Sequence, residues 1–288
     1  MLASDPQLLL DQLYFPECLR WHDGELWFSD MFAGTVHRMC PEEPGSITTV
    51  VTLDDLCGGL GWLPNGDLLA VSMEKRHLVA VGKNGGIRLH ADLSGYFEHS
   101  INDMLVLPNG RAVVGGFGFD ADNGAAPATV PLAVVEPDGS HRLDENQLLF
   151  PNGIEVIAPG KVAVAETFAD RITTMTLEDT GHLGAATSYA ELREGDGPDG
   201  ISADGNGGLW VACAFGERVL HLDESGGIDS ETTVAGMGVF DCLFDRDNNR
   251  LVIAISGHDE VHGRSHRTGA LLMAPVVPHS NNEETLAK

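Results

Sequence analysis

Short apolar runs recur along the chain every 40 to 50 residues or so, each introduced by a polar turn and closed by a small or polar residue. The six copies are HDG-ELWFSD at 22–30, PNG-DLLAVS at 64–72, PNG-RAVVGG at 108–116, APG-KVAVAE at 158–166, GNGGLWVAC at 205–213 and DNNRLVIAIS at 247–256. Their turns fall on Gly24, Gly66, Gly110, Gly160, Gly207 and Asn249. That period is the length of a four-stranded propeller blade. After each pair a further β-rich segment ends in its own Gly or Asp-Gly turn, as in HLVAVGKNGG and RVLHLDESGG, and reads as a third strand with its hairpin. No window repeats apolar residues at three-four spacing between caps, so helices are not expected. The pattern predicts an all-β, six-bladed β-propeller forming a single domain over residues 1–288, with a short tail from about 279. QLLLDQLYF near the start is expected to pair with GALLMAPVV near the end, because closing the ring leaves only short, protected sheet edges.

Counting back seven or eight residues from each turn reaches the entry of the innermost strand of each blade. These positions are Glu17, Gly58, Asn102, Asn152, Asp199 and Asp241, and five of the six carry a side-chain oxygen in otherwise apolar surroundings. Equivalent positions in a closed ring face one axis, so the oxygens are expected to converge and hold a metal in the central channel. Carboxylates mixed with neutral amide carbonyls suit a hard cation. Without one, grouped carboxylates repel each other or take up protons. Pro151-Asn152-Gly153 also reads as a turn tripeptide, like Pro64-Asn65-Gly66, but it is out of phase with the true turns. Asp241 is equally well explained as a loop acid beside Cys242.

Charge narrows the partners. With 43 acidic against 17 basic residues, a formal net charge of −26 repels polyphosphate and anionic lipid, which argues against nucleic acid and membrane surfaces and for a cation. The N-terminal stretch lacks a basic start and a small-residue cleavage pattern, and no apolar run is long enough to span a bilayer. Five scattered cysteines without a CxxC pair suit reduced thiols. A cytoplasmic location is therefore expected. Nothing in the chain marks a dimer surface, so the oligomeric state stays open.

FPECLRWHDGELWFSD, SINDMLVLPNGR, LFPNGIEV, VAETFADRI and PDGISADGNGGLWVAC, taken together and in this order, resemble the senescence marker protein, gluconolactonase and luciferin-regenerating enzyme family from about residue 10 to about 275. The resemblance implies one divalent cation, usually Ca²⁺ with Zn²⁺, Mg²⁺ or Mn²⁺ as alternatives, and hydrolysis of a small-molecule lactone or related ester. By matching motif it assigns the metal ligands to Glu17, Asn102, Asn152 and Asp199, with Asp199 also the general base. It also implies an arginine two residues before the first asparagine in sugar lactonases; here that position is Ser100. A hydroxyl does not replace a guanidinium fork, which argues against gluconolactone as the natural substrate.

In an antiparallel blade the second strand ends on the face where the first begins, so its exit residues are expected to surround the metal. Met31, Phe32, Met73, Phe117, Phe119, Phe168 and Phe215 fall there and predict an apolar collar favouring an uncharged, partly apolar ester. The expected substrate contacts are Asn102, Ser100, Phe117, Met73, Phe168 and His258. His258, His262 and His266 recur at intervals of four, but no glutamate base stands between the first two and the flanking Gly and Arg read as loop. No Gly-x-Ser-x-Gly elbow appears, which argues against a serine hydrolase. Two further readings fit the same residues: a non-catalytic propeller that binds a small molecule, and a phosphotriesterase-like hydrolase.

Overall fold

The structure is a computed structural model and describes residues 1–121, 123–257 and 265–277. The β-rich segments form six four-stranded antiparallel sheets, one per repeat, the all-β six-bladed propeller that the repeat predicts. The innermost strands are Pro16–His22, Cys57–Trp62, Ile101–Val106, Pro151–Ala158, Pro198–Ala203 and Gly238–Asp245. Each pairs with the apolar run that follows it: Glu25–Asp30, Leu68–Ser72, Ala112–Gly116, Lys161–Glu166, Leu209–Cys213 and Arg250–Ser256. The six turn residues between these pairs all adopt positive φ, from 49° at Asn249 to 97° at Gly207. That backbone region is open to glycine and tolerated by asparagine, so the turn chemistry sets the blade length.

Neighbouring blades pack face to face through apolar clusters. Leu19, Leu26 and Phe28 of the first blade meet Val252, Ala254 and Leu271 of the sixth, and Val113 and Val134 of the third meet Ile154, Val162 and Val164 of the fourth. Near the axis the inner strands approach at backbone distance. A Cβ on Gly153 would lie 2.5 Å from the Asp199 carbonyl oxygen, and one on Gly200 would collide with the Asp241 carboxylate. Pro-Asn-Gly at 151–153 and Pro-Asp-Gly at 198–200 are thus strand entries, and their glycines are required by the next inner strand.

The ring closes twice. On the outside, Gln7–Leu13 pairs antiparallel with Gly269–Pro275, so the start of the chain supplies the outer strand of the sixth blade, as its apolar run predicts. On the inside, Asp241 accepts hydrogen bonds from the Leu19 amide at 2.6 Å and the Cys242 amide at 2.7 Å, tying the sixth inner strand to the first. Asp241 is therefore not in register with Glu17. Counted from the hairpins, where His22 pairs with Glu25 and Asp245 with Arg250, Phe240 takes the position of Glu17 and Asp241 lies one residue deeper, beside Gly200. Asp245 pairs with Arg250 across four turn residues where His22 pairs with Glu25 across two, so the same count back from the turn stops one residue short of the cavity position. All five cysteines are free. Among the described residues no helix is long and apolar enough to cross a membrane.

Burial pushes the Asp241 carboxyl up to about 7; the Arg20 guanidinium pulls it down and the Asp103 carboxylate adds to the rise. Asp103 is itself held by Arg20, whose Nη2 donates to its Oδ1 at 2.8 Å.

Deleting residues 1–13 removes the buried Leu9 and Leu13 from the outer closure and is expected to cost about 3–6 kcal/mol, at the usual worth of two buried leucines; an unchanged urea midpoint would contradict this. The raised Asp241 pKa makes the native state hold a proton that the unfolded chain releases at lower pH. Its stabilising contribution is thus complete at acid pH and lost as pH rises through about 7. Urea unfolding at acid and alkaline pH is expected to show the stability advantage of the wild type over Asp241→Asn shrinking with rising pH; a constant or growing advantage would contradict the assignment.

Candidate active site

A cavity of about 320 Å³ opens where the inner strands begin and the second strands end. Its wall carries Glu17, Asn102, Asn152 and Asp199, the second residues of the first, third, fourth and fifth inner strands, all buried. In the second and sixth blades the equivalent positions are Gly58 and Phe240, and there the wall is apolar, supplied by Leu56, Met73 and Phe240 itself. The oxygens thus occupy one arc of the ring. Across that arc Asn102 Nδ2 donates to Asn152 Oδ1 at 2.8 Å, Asn152 Nδ2 faces Thr167 Oγ1 at 3.4 Å, and the Thr167 hydroxyl donates to the Pro198 carbonyl at 2.8 Å.

Asn102 Oδ1 is buried and accepts no hydrogen bond. A buried carbonyl oxygen left in this way is costly, and with two carboxylates and a second amide on the same wall it makes a donor set suited to a hard divalent cation. Among the described residues no three His, Cys, Asp or Glu side chains stand together as a metal cluster; the amides complete this set, and they are the ligands oxygen-seeking ions accept and zinc sites rarely use.

Acidic side chains, Asp30 and Glu166 buried and Asp170 half-buried, fix the loops that deliver these residues. Asp30, the last residue of its strand, accepts from the Tyr14 and Phe15 amides at 3.0 and 2.7 Å, just ahead of Glu17. Glu166 accepts from the Leu149 amide at 2.7 Å, ahead of Asn152, while Arg171 and Thr173 bind its other edge. Asp170 accepts from the Gly195 and Gly197 amides at 2.9 and 2.8 Å, ahead of Asp199. These acids were not singled out from the sequence; for Asp30 and Glu166 the usable signal was an acid closing an otherwise apolar strand.

Much of the rest of the wall is aromatic, with Glu74, Arg76, Glu98, His99 and Asp120 also lining it. Met31, Phe32, Met73, Phe117, Phe119, Phe168 and Phe215, expected as a collar, all line the cavity, as does Ser100. Phe150 was not anticipated. Its φ of 56° is rare for a bulky residue, and it sets the ring in a stack on Phe117 with centroids 4.2 Å apart and within 5.0 Å of Phe168. Phe15, also unanticipated, packs against Phe32 and Phe240 on the opposite side at 5.0 and 4.3 Å. Eight of the eleven phenylalanines of the chain therefore face this one cavity, Phe15, Phe32 and Phe240 on one side and Phe117, Phe119, Phe150, Phe168 and Phe215 on the other. Phe168 and Phe215 stay exposed at the mouth. The predicted contact His258 lies outside the described residues.

Known proteins share this arrangement of chain. The 6-deoxy-6-sulfogluconolactonase of Pseudomonas putida is 26% identical over 223 residues, 75% of this chain and 74% of that protein. Pentonolactonase XacC of Haloferax volcanii is 28% identical over 213 residues, 72% and 69% of the two chains. The crystal structure of the calcium-binding protein regucalcin from Agrobacterium tumefaciens has the same fold, with a TM-score of 0.78 at 19% identity over 94% of each chain. The model of the SMP-30/gluconolactonase/LRE-like region matches residues 15–257, across all six inner strands, and the chain belongs to that family.

Proposed function

We propose that this protein is a metal-dependent hydrolase that opens a partly apolar lactone. The observation that carries the reading is the meeting of two carboxylates and two amides, one with a buried unpartnered oxygen, on the wall of an aromatic cavity. Membership of a family whose relatives include named lactonases supports the same reaction class. Glu17, Asn102, Asn152 and Asp199 would hold one divalent cation. Ca²⁺ fits the all-oxygen set best, and Mg²⁺, Mn²⁺ or Zn²⁺ use the same atoms less well. When bound, the cation supplies Lewis-acid polarisation of the lactone carbonyl.

The chain's own residues do the rest. Asp199 accepts the proton of the attacking water through an oxygen turned to the cavity. The water oxygen bonds to the acyl carbon, the bond from acyl carbon to ring oxygen breaks, and the proton passes to the departing ring alkoxide, leaving a hydroxy acid. Thr167 bridges the Asn152 and Asp199 strands through its hydroxyl and keeps their spacing fixed. Phe117, Phe150 and Phe168 exclude water and bind the body of the substrate by area and ring contact. Met73 and Ser100 line the wall beside Asn102.

Lactone hydrolysis followed by proton release is expected to be abolished by chelation and to fall about a hundredfold or more in Asp199→Asn, the usual loss with a general base. Aryl or alkyl lactones are expected to outpace gluconolactone. Full activity in Asp199→Asn, or after complete removal of divalent ions, would overturn the mechanism; ligand binding without turnover of any ester would favour a binding propeller.

A further inference from the structure

Arg76 is the one arginine or lysine lining the cavity among the described residues. It ends the turn that follows the second strand of the second blade and adopts a φ of 57°, fixed by its amide bonding to the Met73 carbonyl and its carbonyl accepting from Leu93. The same left-handed position, just ahead of the third strand, is filled by Gly34, Asp170 and Glu217 in the first, fourth and fifth blades. Asp170 and Glu217 serve one purpose there: each accepts hydrogen bonds from glycine amides, Gly195 and Gly197 for the first and Gly236 for the second, in the loop leading to the next inner strand.

Arg76 cannot do this, because a guanidinium only donates. Its Nη1 makes a long bond of 3.3 Å to the Glu98 carbonyl, two residues before Ser100, and its Nε is buried with no partner. No carboxylate pairs with it among the described residues, although the chain carries 43 acids. In a blade where the repeat elsewhere places a clamping acid, the chain has set a half-buried, incompletely bonded guanidinium at the wall of an aromatic cavity. A planar fork of N–H donors is matched by a carboxylate.

We infer that Arg76 is a specificity-determining residue and that the substrate is a lactone bearing a separate carboxylate on an apolar or aromatic body. This rests on the lactonase reading for the reaction but not for the recognition. It replaces the expectation of an uncharged substrate, which was drawn from the phenylalanines alone. The carboxylate takes the Nε and Nη donors of Arg76 while the aromatic wall holds the body.

The test compares kcat/KM for a γ-lactone carrying a ring carboxylate with that for the matching carboxamide, at constant ionic strength, in the wild type, Arg76→Met and Arg76→Lys. The wild type is expected to prefer the carboxylate by about tenfold or more, the scale of a charge-assisted hydrogen bond. The ratio is expected to collapse toward one in Arg76→Met and to be partly kept in Arg76→Lys. A ratio that survives Arg76→Met, or a wild type that prefers the carboxamide, overturns the inference. If the wild type hydrolyses neither compound, the lactonase reading fails by itself. Calorimetric binding of the same two compounds then decides on Arg76: carboxylate binding lost in Arg76→Met supports it, and equal binding by both proteins, or none by either, overturns it.

Discussion

Six inner strands share one register around the axis, and at the entry of each strand that register leaves no choice of direction for the side chain. Four of the six positions carry Glu17, Asn102, Asn152 and Asp199, and the ring brings them to one cavity wall. The strands reach this geometry because Gly153 and Gly200 let adjacent backbones approach where a Cβ would collide. Closure holds it, through Gln7–Leu13 outside and the Asp241 carboxylate on the Leu19 amide inside. A shift of one residue in any of these strands would turn one of these oxygens away from the axis.

The acids of this chain divide into two populations with opposite physics. Asp30 and Glu166 are buried and Asp170 half-buried, and all three are satisfied by backbone amides or by Arg171, so their charge is spent on holding loops. Glu17 and Asp199 share a wall with two amides, one of whose oxygens is buried and unpartnered, the set proposed to hold a cation. Around them the phenylalanines lower the local dielectric, which strengthens any charge interaction made inside. Arg76, opposite in sign to Asp170 and Glu217 at the same position of other blades, adds a directional donor to that cavity.

The sequence made the blades legible because their turns need left-handed residues, and Gly and Asn announce those positions; all six turns adopt that conformation. The pairing of the first and last strands was readable from two apolar runs seeking an edge. The register reached Glu17, Asn102, Asn152 and Asp199 as neighbours on one cavity, but missed by one residue at Asp241, where Phe240 takes the cavity position and a differently built turn broke the count. Phe15 and Phe150 went unread because the rule looked only at strand exits, whereas both stand before the proline that opens an inner strand. Arg76 was invisible for a different reason: its position is set by a left-handed residue between strands, and nothing in the local sequence signals that this residue faces the cavity.

Calorimetric titration of Ca²⁺ into protein stripped of divalent ions tests the convergence of oxygens most directly. The account predicts one ion bound per chain in the wild type and a loss of at least tenfold in affinity in Asn102→Ala, whose carbonyl oxygen is the buried atom without a partner. No saturable binding in the wild type, or equal affinity in Asn102→Ala, would contradict it.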